Sequence, residues 1–341
     1  MSGVFDEDKT QSNEPHVYEA LTPDVVLDAL SNLGLKVDGR MTALSSYENR
    51  VYQVMLEDDQ ALVVKFYRPL RWTDDQILEE HDFAAELMAD EIPLVGPLEI
   101  ASKTLHHSHG FAFSVSPRRG GRVPDLDDVE VLEWIGRFIA RIHNVGGQKE
   151  FVKRPTLNVT SFGIESRDWL IANEMVSLDQ KSRWLEACTE AIEKAAAIFA
   201  KHPAKLLRIH GDCHPGNILW TPTDLADGGP HFVDLDDARM GPAIQDLWML
   251  VSGDRAQRTQ QLSILVEGYE QMRELNRDEL ALIEPLRTLR LIHYSAWLAR
   301  RRDDPAFIQH FSWFGSSQYW AEQTHMLIEQ CEAMQEPALN I

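Results

Sequence analysis

Residues 210–217, His-Gly-Asp-Cys-His-Pro-Gly-Asn, place an acid and an amide at a spacing that suits phosphoryl transfer. Four residues separate Asp212 from Asn217, and a second acid, Asp234, follows a strand-like apolar segment. One carboxylate can orient a hydroxyl nucleophile, while the Asn217 side-chain oxygen and Asp234 can hold Mg²⁺ on the phosphates of ATP. The spacing is that of the protein-kinase catalytic loop, with glycine in place of arginine. The pattern therefore indicates ATP-dependent phosphoryl transfer.

A zinc hydrolase is the competing interpretation of the same loop. His210, Asp212 and His214 alternate in a way that could hold zinc. Such a site needs further ligands downstream, and the nearest histidine, His231, belongs to no ligand-spaced group. Acids follow instead, and oxygen ligands suit Mg²⁺. We therefore favour phosphoryl transfer, and we expect His210 to brace the loop by hydrogen bonding. Asp236 is left open between a ligand of a second metal and a solvated side chain.

Three residues nearer the N-terminus are candidates for holding the nucleotide. Lys65 ends an apolar strand and can extend its ammonium to the α- and β-phosphates. Glu80 is predicted to pair with Lys65, because it shares a helix face with apolar residues; Glu79 is the competing assignment. The chain has no glycine-rich phosphate loop. In the corresponding polar turn, the Ser46 hydroxyl could bond a phosphate oxygen.

Composition narrows the class of protein. The 341 residues carry a formal net charge of −21, which argues against nucleic acid as a partner. Three cysteines far apart fit a reducing compartment, and Cys213 is expected to be a small packing residue. No run approaches the roughly 18 apolar residues of a membrane span, and the N-terminus resembles no signal peptide. We expect a monomeric cytoplasmic protein with no membrane partner.

The pattern of apolar residues predicts an α+β, bilobal chain. Residues 1–16 read as a flexible tail, 17–117 as an N-terminal nucleotide-binding lobe and 118–341 as a C-terminal catalytic and substrate lobe. The N-lobe is expected to hold a five-stranded antiparallel sheet with one helix inserted after the third strand. The predicted elements of this lobe are a helix from Pro23, strands within 41–66, a helix at 74–88, and strands at 93–97 and 110–115.

The C-lobe is expected to be mostly helical. Its predicted helices lie at 131–142, around 180–201, from Ala243, and in two or three segments beyond Arg255. Asp246, near the start of one of these helices, is expected to receive backbone N–H groups from the catalytic loop. Gly241 follows Asp234 by only seven positions, which leaves no room for a long regulatory activation loop.

Longer strings carry a family resemblance. HGDCHPGN with FVDLDDA resembles the aminoglycoside/choline phosphotransferase family, which has the protein-kinase-like fold. SYENRVYQV, VVKFYRPLRWTDDQILEEH and IEPLRTLRLIHYSAWLARR are similar to the bacterial stress response kinase A group. The resemblance implies an ATP- and Mg²⁺-dependent serine/threonine protein kinase that also phosphorylates itself. It implies Asp212 as the active-site aspartate, Asn217 and Asp234 as magnesium ligands, and Ser46 as the nucleotide-loop serine.

Two other functions stay open. A small-molecule kinase of the aminoglycoside, choline or homoserine type would use the same mechanism, and acidic walls in the C-lobe would suit its cationic acceptor. A non-catalytic ATP-binding scaffold is disfavoured because Lys65, Asp212, Asn217 and Asp234 are all present.

Overall fold

Residues 17–304, 307 and 310–341 are described by the structure, a computed structural model. The predicted tail, residues 1–16, lies outside the described residues. We refer to residues up to Pro117 as the N-lobe and to those after it as the C-lobe.

The N-lobe is built on a five-stranded antiparallel sheet, as predicted. Its strands are β1 (Val37–Leu44), β2 (Arg50–Leu56), β3 (Ala61–Phe66), β4 (His106–Ser108) and β5 (Phe111–Pro117), in the order β1-β2-β3-β5-β4. Leu62, Val64 and Phe66 alternate along β3 and are buried against α1 (Pro23–Asn32), in which Val26 and Leu30 are also buried. Because side chains alternate along a strand, Lys65 lies on the opposite face of the sheet.

The predicted strand at residues 93–97 is wrong. This segment is irregular and bonds to the C-lobe: Val95 N–H donates to the carbonyl of Phe232 at 3.0 Å, and Phe232 N–H donates to that of Pro93 at 2.8 Å. Prolines at 93 and 97 remove donors that a strand within the sheet would need, which explains the outcome. The fourth strand is instead β4, which sequence analysis did not assign.

One helix, α2 (Asp74–Ala89), is inserted after β3, as predicted. Thr73 caps it, and Gln76 completes a capping box by bonding back to the Thr73 backbone. Phe83 and Leu87 are buried on its inner face with Glu80. That face therefore brings a carboxylate into the interior between the two lobes.

The C-lobe is mostly helical. Its helices are α3 (Val129–Gly146), α4 (Glu165–Ala172), α5 (Lys181–Lys201), α6 (Ile244–Trp248), α7 (Arg255–Glu270), α8 (Ile283–Ala299) and α9 (Ser317–Ala333). The predicted helices of this lobe are confirmed, and three of those in the described residues lie beyond Asp254. The largest core surrounds α3 and α7. These helices approach closely at Gly136, which has no side chain; a Cβ there would lie only 2.1 Å from the Leu265 carbonyl oxygen.

Two short antiparallel ribbons carry the loops of interest. The strands β6 (Leu207–Ile209) and β9 (Arg239–Gly241) pair with each other, and so do β7 (Ile218–Thr221) and β8 (Gly229–Phe232). The 210–217 loop connects β6 to β7, and Asp234 follows β8. Pairing of Ile218 with Phe232 therefore brings the end of this loop next to the segment that carries Asp234.

Candidate active site

The start of the 210–217 loop is hydrogen-bonded to the side chain of Asp246. The two oxygens of this carboxylate accept the backbone N–H groups of His210 at 2.8 Å and Gly211 at 2.9 Å, as predicted. His143 bonds the same carboxylate at 3.0 Å. Burial would raise the pKa of the Asp246 carboxyl, but the hydrogen bond and charge of His143 hold it below the ordinary value.

Glycine at position 211 has a structural cause. Its φ is +83°, and a Cβ there would lie 2.3 Å from the carbonyl oxygen of Asp237. A side chain is therefore excluded both by the left-handed backbone and by the contact. This explains why the loop has glycine where the protein-kinase loop has arginine.

His210 braces the loop, as predicted. Its Nε2 lies 2.9 Å from the carbonyl oxygen of Val233, so it ties the catalytic loop to the segment before Asp234. Among the described residues, no group of three or more His, Cys, Asp and Glu side chains could hold a metal. Cys213 is fully buried, and burial raises the pKa of its thiol well above the ordinary value. It is a packing residue rather than a reactive thiol.

Asn217 has a fixed side-chain orientation. Its Nδ2 donates to the backbone carbonyl of Asp212 at 3.0 Å, and the backbone carbonyl of Asn217 accepts the Val233 N–H at 3.0 Å. With the amide nitrogen used in this way, Oδ1 remains available as an acceptor. An amide oxygen and the Asp234 carboxylate make a small set of oxygen donors, which is what Mg²⁺ takes from proteins.

Lys65 and Asp234 meet across the cleft between the lobes. The Lys65 ammonium lies 2.8 Å from Asp234 Oδ1, and about half of the Asp234 side chain is exposed. Burial would lower the pKa of Lys65, but Asp234, Asp236 and Glu80 raise it well above the ordinary value. The half-exposed Asp234 carboxylate already pairs with the positively charged Lys65 ammonium, so its position is also suited to a metal cation.

Of the two candidate glutamates on α2, Glu79 and Glu80, the second faces the Lys65 side of the cleft. It is buried, Arg154 lies 3.8 Å from it, and burial raises its pKa to about 7 against the opposing charges of Lys65 and Arg154. Glu79 lies elsewhere and accepts the backbone N–H groups of three consecutive residues, 152–154. The structure therefore favours Glu80 over Glu79 as the glutamate near Lys65. The predicted ion pair between Lys65 and Glu80 is wrong, because Lys65 bonds Asp234 and Glu80 lies beside Arg154.

Of the two alternatives for Asp236, the solvated one is wrong, and the second-metal one stays a prediction. Its side chain is buried, contacts the Arg71 guanidinium and accepts from Asn49 at 3.2 Å. Arg71 also lies 2.8 Å from Asp237, so one arginine pairs with both acids. Asp236 is therefore an internal ion-pair residue and is not solvated.

Ser46 lies in the loop between β1 and β2 and is partly exposed. The same loop contains Glu48, which sequence analysis missed. Glu48 Oε2 accepts from the Trp297 indole at 2.7 Å and contacts the Arg301 guanidinium. An ion-paired carboxylate thus anchors a loop that other kinases build from glycines. Glu48 gives no signal in the sequence, because Trp297 and Arg301 lie roughly 250 residues away; Arg68 and Arg71 also approach it, at 3.8 and 3.5 Å.

Asp212 lies at the mouth of the site with about a fifth of its side chain exposed. Arg290, on α8, places Nη2 2.7 Å from its Oδ1, and His214 Nε2 lies 3.6 Å from Oδ2. The arginine contact is a charge contact, since Oδ1 accepts no well-oriented hydrogen bond from any described residue. Arg290 was not predicted, and nothing in the sequence pattern of α8 marks it.

Comparison with known proteins agrees with this geometry. Residues 40–283 match the model of the phosphotransferase enzyme family. Stress response kinase A of Escherichia coli O157:H7 is 45% identical over 330 residues, which cover 97% of this chain and 98% of that protein. A protein named serine/threonine protein kinase RdoA, from Salmonella typhimurium, is 44% identical over 324 residues, covering 95% and 97%.

Solved structures with the same fold are small-molecule kinases by name. The amicoumacin kinase hAmiN, in complex with AMP-PNP, Ca²⁺ and Ami, superimposes with a TM-score of 0.67 at 20% identity, over 91% of this chain and 92% of that one. A microcompartment-associated aminopropanol kinase superimposes with a TM-score of 0.65 at 16% identity, over 91% and 96%. Among the described residues, no helix is long and apolar enough to cross a membrane. The chain belongs to the phosphotransferase enzyme family and is a homologue of the stress response kinase A proteins.

Proposed function

We propose that this kinase is an ATP- and magnesium-dependent serine/threonine protein kinase of the bacterial stress response, acting as a cytoplasmic monomer. The observation that carries the phosphotransfer chemistry is the convergence of Asp212, Asn217, Asp234 and Lys65 on one cleft. The protein acceptor is supported by the name of a relative that matches almost the whole chain. Its physiological targets include, in this proposal, the kinase itself.

In the proposed reaction, Asp212 orients the acceptor hydroxyl and accepts its proton. The hydroxyl oxygen forms a bond to the γ-phosphorus as the bond to the ADP oxygen breaks, so the products are a phosphoester and ADP. The Asp212 carboxylate suits this role because about a fifth of its side chain is exposed, although Oδ1 itself is buried beside Arg290.

Other residues hold the nucleotide. Asn217 and Asp234 supply the oxygens that would bind Mg²⁺, an ion that would neutralise charge on the phosphate oxygens when bound. Lys65 then binds the α- and β-phosphates, with the charge of the Glu80 carboxylate nearby. Ser46 donates its hydroxyl to a phosphate from the loop between β1 and β2.

A small-molecule acceptor is the second candidate, and a specific observation favours it. Solved structures that share the fold are described as kinases of amicoumacin, aminopropanol and choline. These resemblances lie at 20% identity or below, so they support the fold and the chemistry of the site more than the acceptor.

An acceptor panel tests the proposal. Purified protein is incubated with γ-labelled ATP and Mg²⁺, and with either cell proteins and serine- or threonine-containing peptides or a series of amino-alcohols and sugars. Turnover of proteins and peptides supports the protein-kinase assignment, and turnover confined to the small molecules refutes it. Absence of transfer to any acceptor, with ATP binding intact, would support a binding scaffold instead.

Asp212→Asn is the active-site variant for this assay. It should bind ATP with Mg²⁺ as the parent does, yet lose transfer by roughly 10²- to 10⁴-fold, as expected for loss of a general base. Asp227→Asn is the matched control, because Asp227 pairs with Arg119 on an exposed surface. An unchanged rate in Asp212→Asn would show that the base has been assigned wrongly.

A further inference from the structure

The acceptor site is bordered by a cation. Arg290 extends from α8 so that Nη2 lies 2.7 Å from Oδ1 of Asp212, and about a third of its side chain is exposed. Any hydroxyl that reaches Asp212 must therefore approach beside this guanidinium. Oδ1 itself is buried under this contact, so a hydroxyl that binds the exposed part of the Asp212 carboxylate lies beside the guanidinium while Arg290 stays in place.

Two carboxylates near Asp212 already form ion pairs with arginines. Asp237 lies 2.8 Å from Arg71 and 2.5 Å from Arg239. Asp236 also contacts Arg71, so neither acid is available to a cationic ligand. Although the chain as a whole is strongly acidic, Asp236 and Asp237 therefore do not form an unpaired acidic wall for a cationic acceptor.

Arg290 has a fixed arrangement of donors that suits a carboxylate. A guanidinium presents its N–H groups in a planar fork and binds a carboxylate through two parallel hydrogen bonds. Its contact with Asp212 uses Nη2, and its partial exposure leaves the remaining N–H groups open to a ligand. An anionic group close to the reacting hydroxyl would meet these donors.

An aromatic surface continues from Arg290 along the same face of α8. Tyr294, one helical turn further on, is 42% exposed and stacks on Trp297, with ring centroids 5.7 Å apart and planes inclined by 10°. Exposed aromatic rings next to an arginine are typical of surfaces that bind peptides. Tyr294 and Trp297 thus continue the surface for about two helical turns past Arg290.

We propose that Arg290 selects the acceptor by binding a carboxylate next to the reacting hydroxyl, so that the preferred substrate is a serine or threonine flanked by Asp or Glu in an extended peptide. This inference rests on the proposed protein-kinase function and names the acceptor class of that same site. Arg290 touches substrate in this scheme as a specificity residue, whereas Asp212 accepts the proton.

Peptide series with matched sequences test this inference. Serine peptides with acidic, neutral or basic residues on either side of the acceptor are phosphorylated by the full-length protein with ATP and Mg²⁺, and kcat and KM are measured for each. The wild type should favour the acidic series by about tenfold in kcat/KM, mainly through KM. Arg290→Gln should abolish this preference, Arg290→Lys should restore part of it, and Arg290→Glu should reverse it toward the basic series.

Arg287→Gln is the matched control. Arg287 lies one turn earlier on α8 and pairs with Glu284 at 3.3 Å, so its loss should leave the flanking preference unchanged. Thermal unfolding of each variant reports whether the fold is retained. If the wild type shows no acidic preference, or if Arg290→Gln keeps it, the inference is wrong while the protein-kinase function stands. Turnover of amino-alcohols with no turnover of any peptide would overturn both.

Discussion

The indole Nε1 of Trp297 donates a hydrogen bond to Glu48 Oε2 at 2.7 Å, which connects α8 to the loop between β1 and β2. Arg301, further along the same segment, contacts the same oxygen. Because α8 also carries Arg290 beside Asp212, one helix of the C-lobe contacts both the loop between β1 and β2 and the carboxylate proposed as the general base.

Removing the charge of Glu48 should release this loop. In Glu48→Gln the amide can still accept from Trp297, but the guanidinium of Arg301 loses its buried ionic partner, at a cost of about 3 kcal/mol of unfolding free energy. We expect a lower melting temperature and a higher KM for ATP. Asp38→Asn, which removes an exposed ion pair with Arg40, is the control and should change neither. An unaltered KM in Glu48→Gln would show that the loop does not depend on this anchor.

Asp246 should be essential for the shape of the catalytic loop. Asp246→Ala leaves two buried backbone N–H groups and His143 without their acceptor, which should cost roughly 3 kcal/mol of unfolding free energy. Urea denaturation measures this loss. Asp254→Ala removes only the N-cap of α7 and should cost about 1 kcal/mol. Equal losses in the two variants would contradict the role assigned to Asp246.

Asp234 should control the magnesium dependence of nucleotide binding. In the parent, Mg²⁺ should strengthen ATP binding, and Asp234→Ala should reduce the apparent magnesium affinity by roughly tenfold to a hundredfold. Titration calorimetry with ATP at several magnesium concentrations measures the effect, with Asp227→Ala as an exposed control. If the magnesium dependence were the same in Asp234→Ala, this carboxylate would not be a ligand.

Local patterns were enough to predict most elements of the fold. Caps such as Thr22 and Thr73, and the helical spacing of apolar residues in α3, depend on neighbours within a few positions, and these elements formed as expected. The segment 93–97 failed because its backbone partner, Phe232, lies in the other lobe. Strand-like composition alone does not say which edge a segment joins.

Site residues could be predicted where the reaction requires a fixed spacing along the sequence. They could not be predicted where an ion pair with a distant residue determines the environment of the side chain. Asp212, Asn217 and Asp234 belong to one local pattern, and the structure brings them together as that pattern suggests. The solvated alternative for Asp236 is wrong because its partner, Arg71, lies 165 positions earlier in the chain. Arg290 escaped notice for the same reason: a charged residue on a helix looks solvated until its partner is known.

The pH dependence of stability should depend measurably on Glu80. Burial raises the pKa of its carboxyl to about 7 in the folded protein, above the ordinary value of 4.5. Between these two values the unfolded chain releases the proton while the folded chain keeps it, so this group's contribution to stability falls as pH rises from about 4.5 to about 7 and is constant above. Because glutamine does not titrate, the stability of Glu80→Gln should not fall in this way over the same pH range.

Melting temperatures of Glu80→Gln and the wild type, compared at pH 5 and pH 8 without nucleotide, measure the effect. The difference in unfolding free energy should shift in favour of Glu80→Gln by on the order of 1–3 kcal/mol between the two pH values. Glu79→Gln is the matched control. Its amide replaces a carboxylate that accepts three backbone N–H groups, so it should be destabilised at both pH values. A pH-independent difference between Glu80→Gln and the wild type would mean that Glu80 is ionised throughout this range and already paired with Lys65 or Arg154.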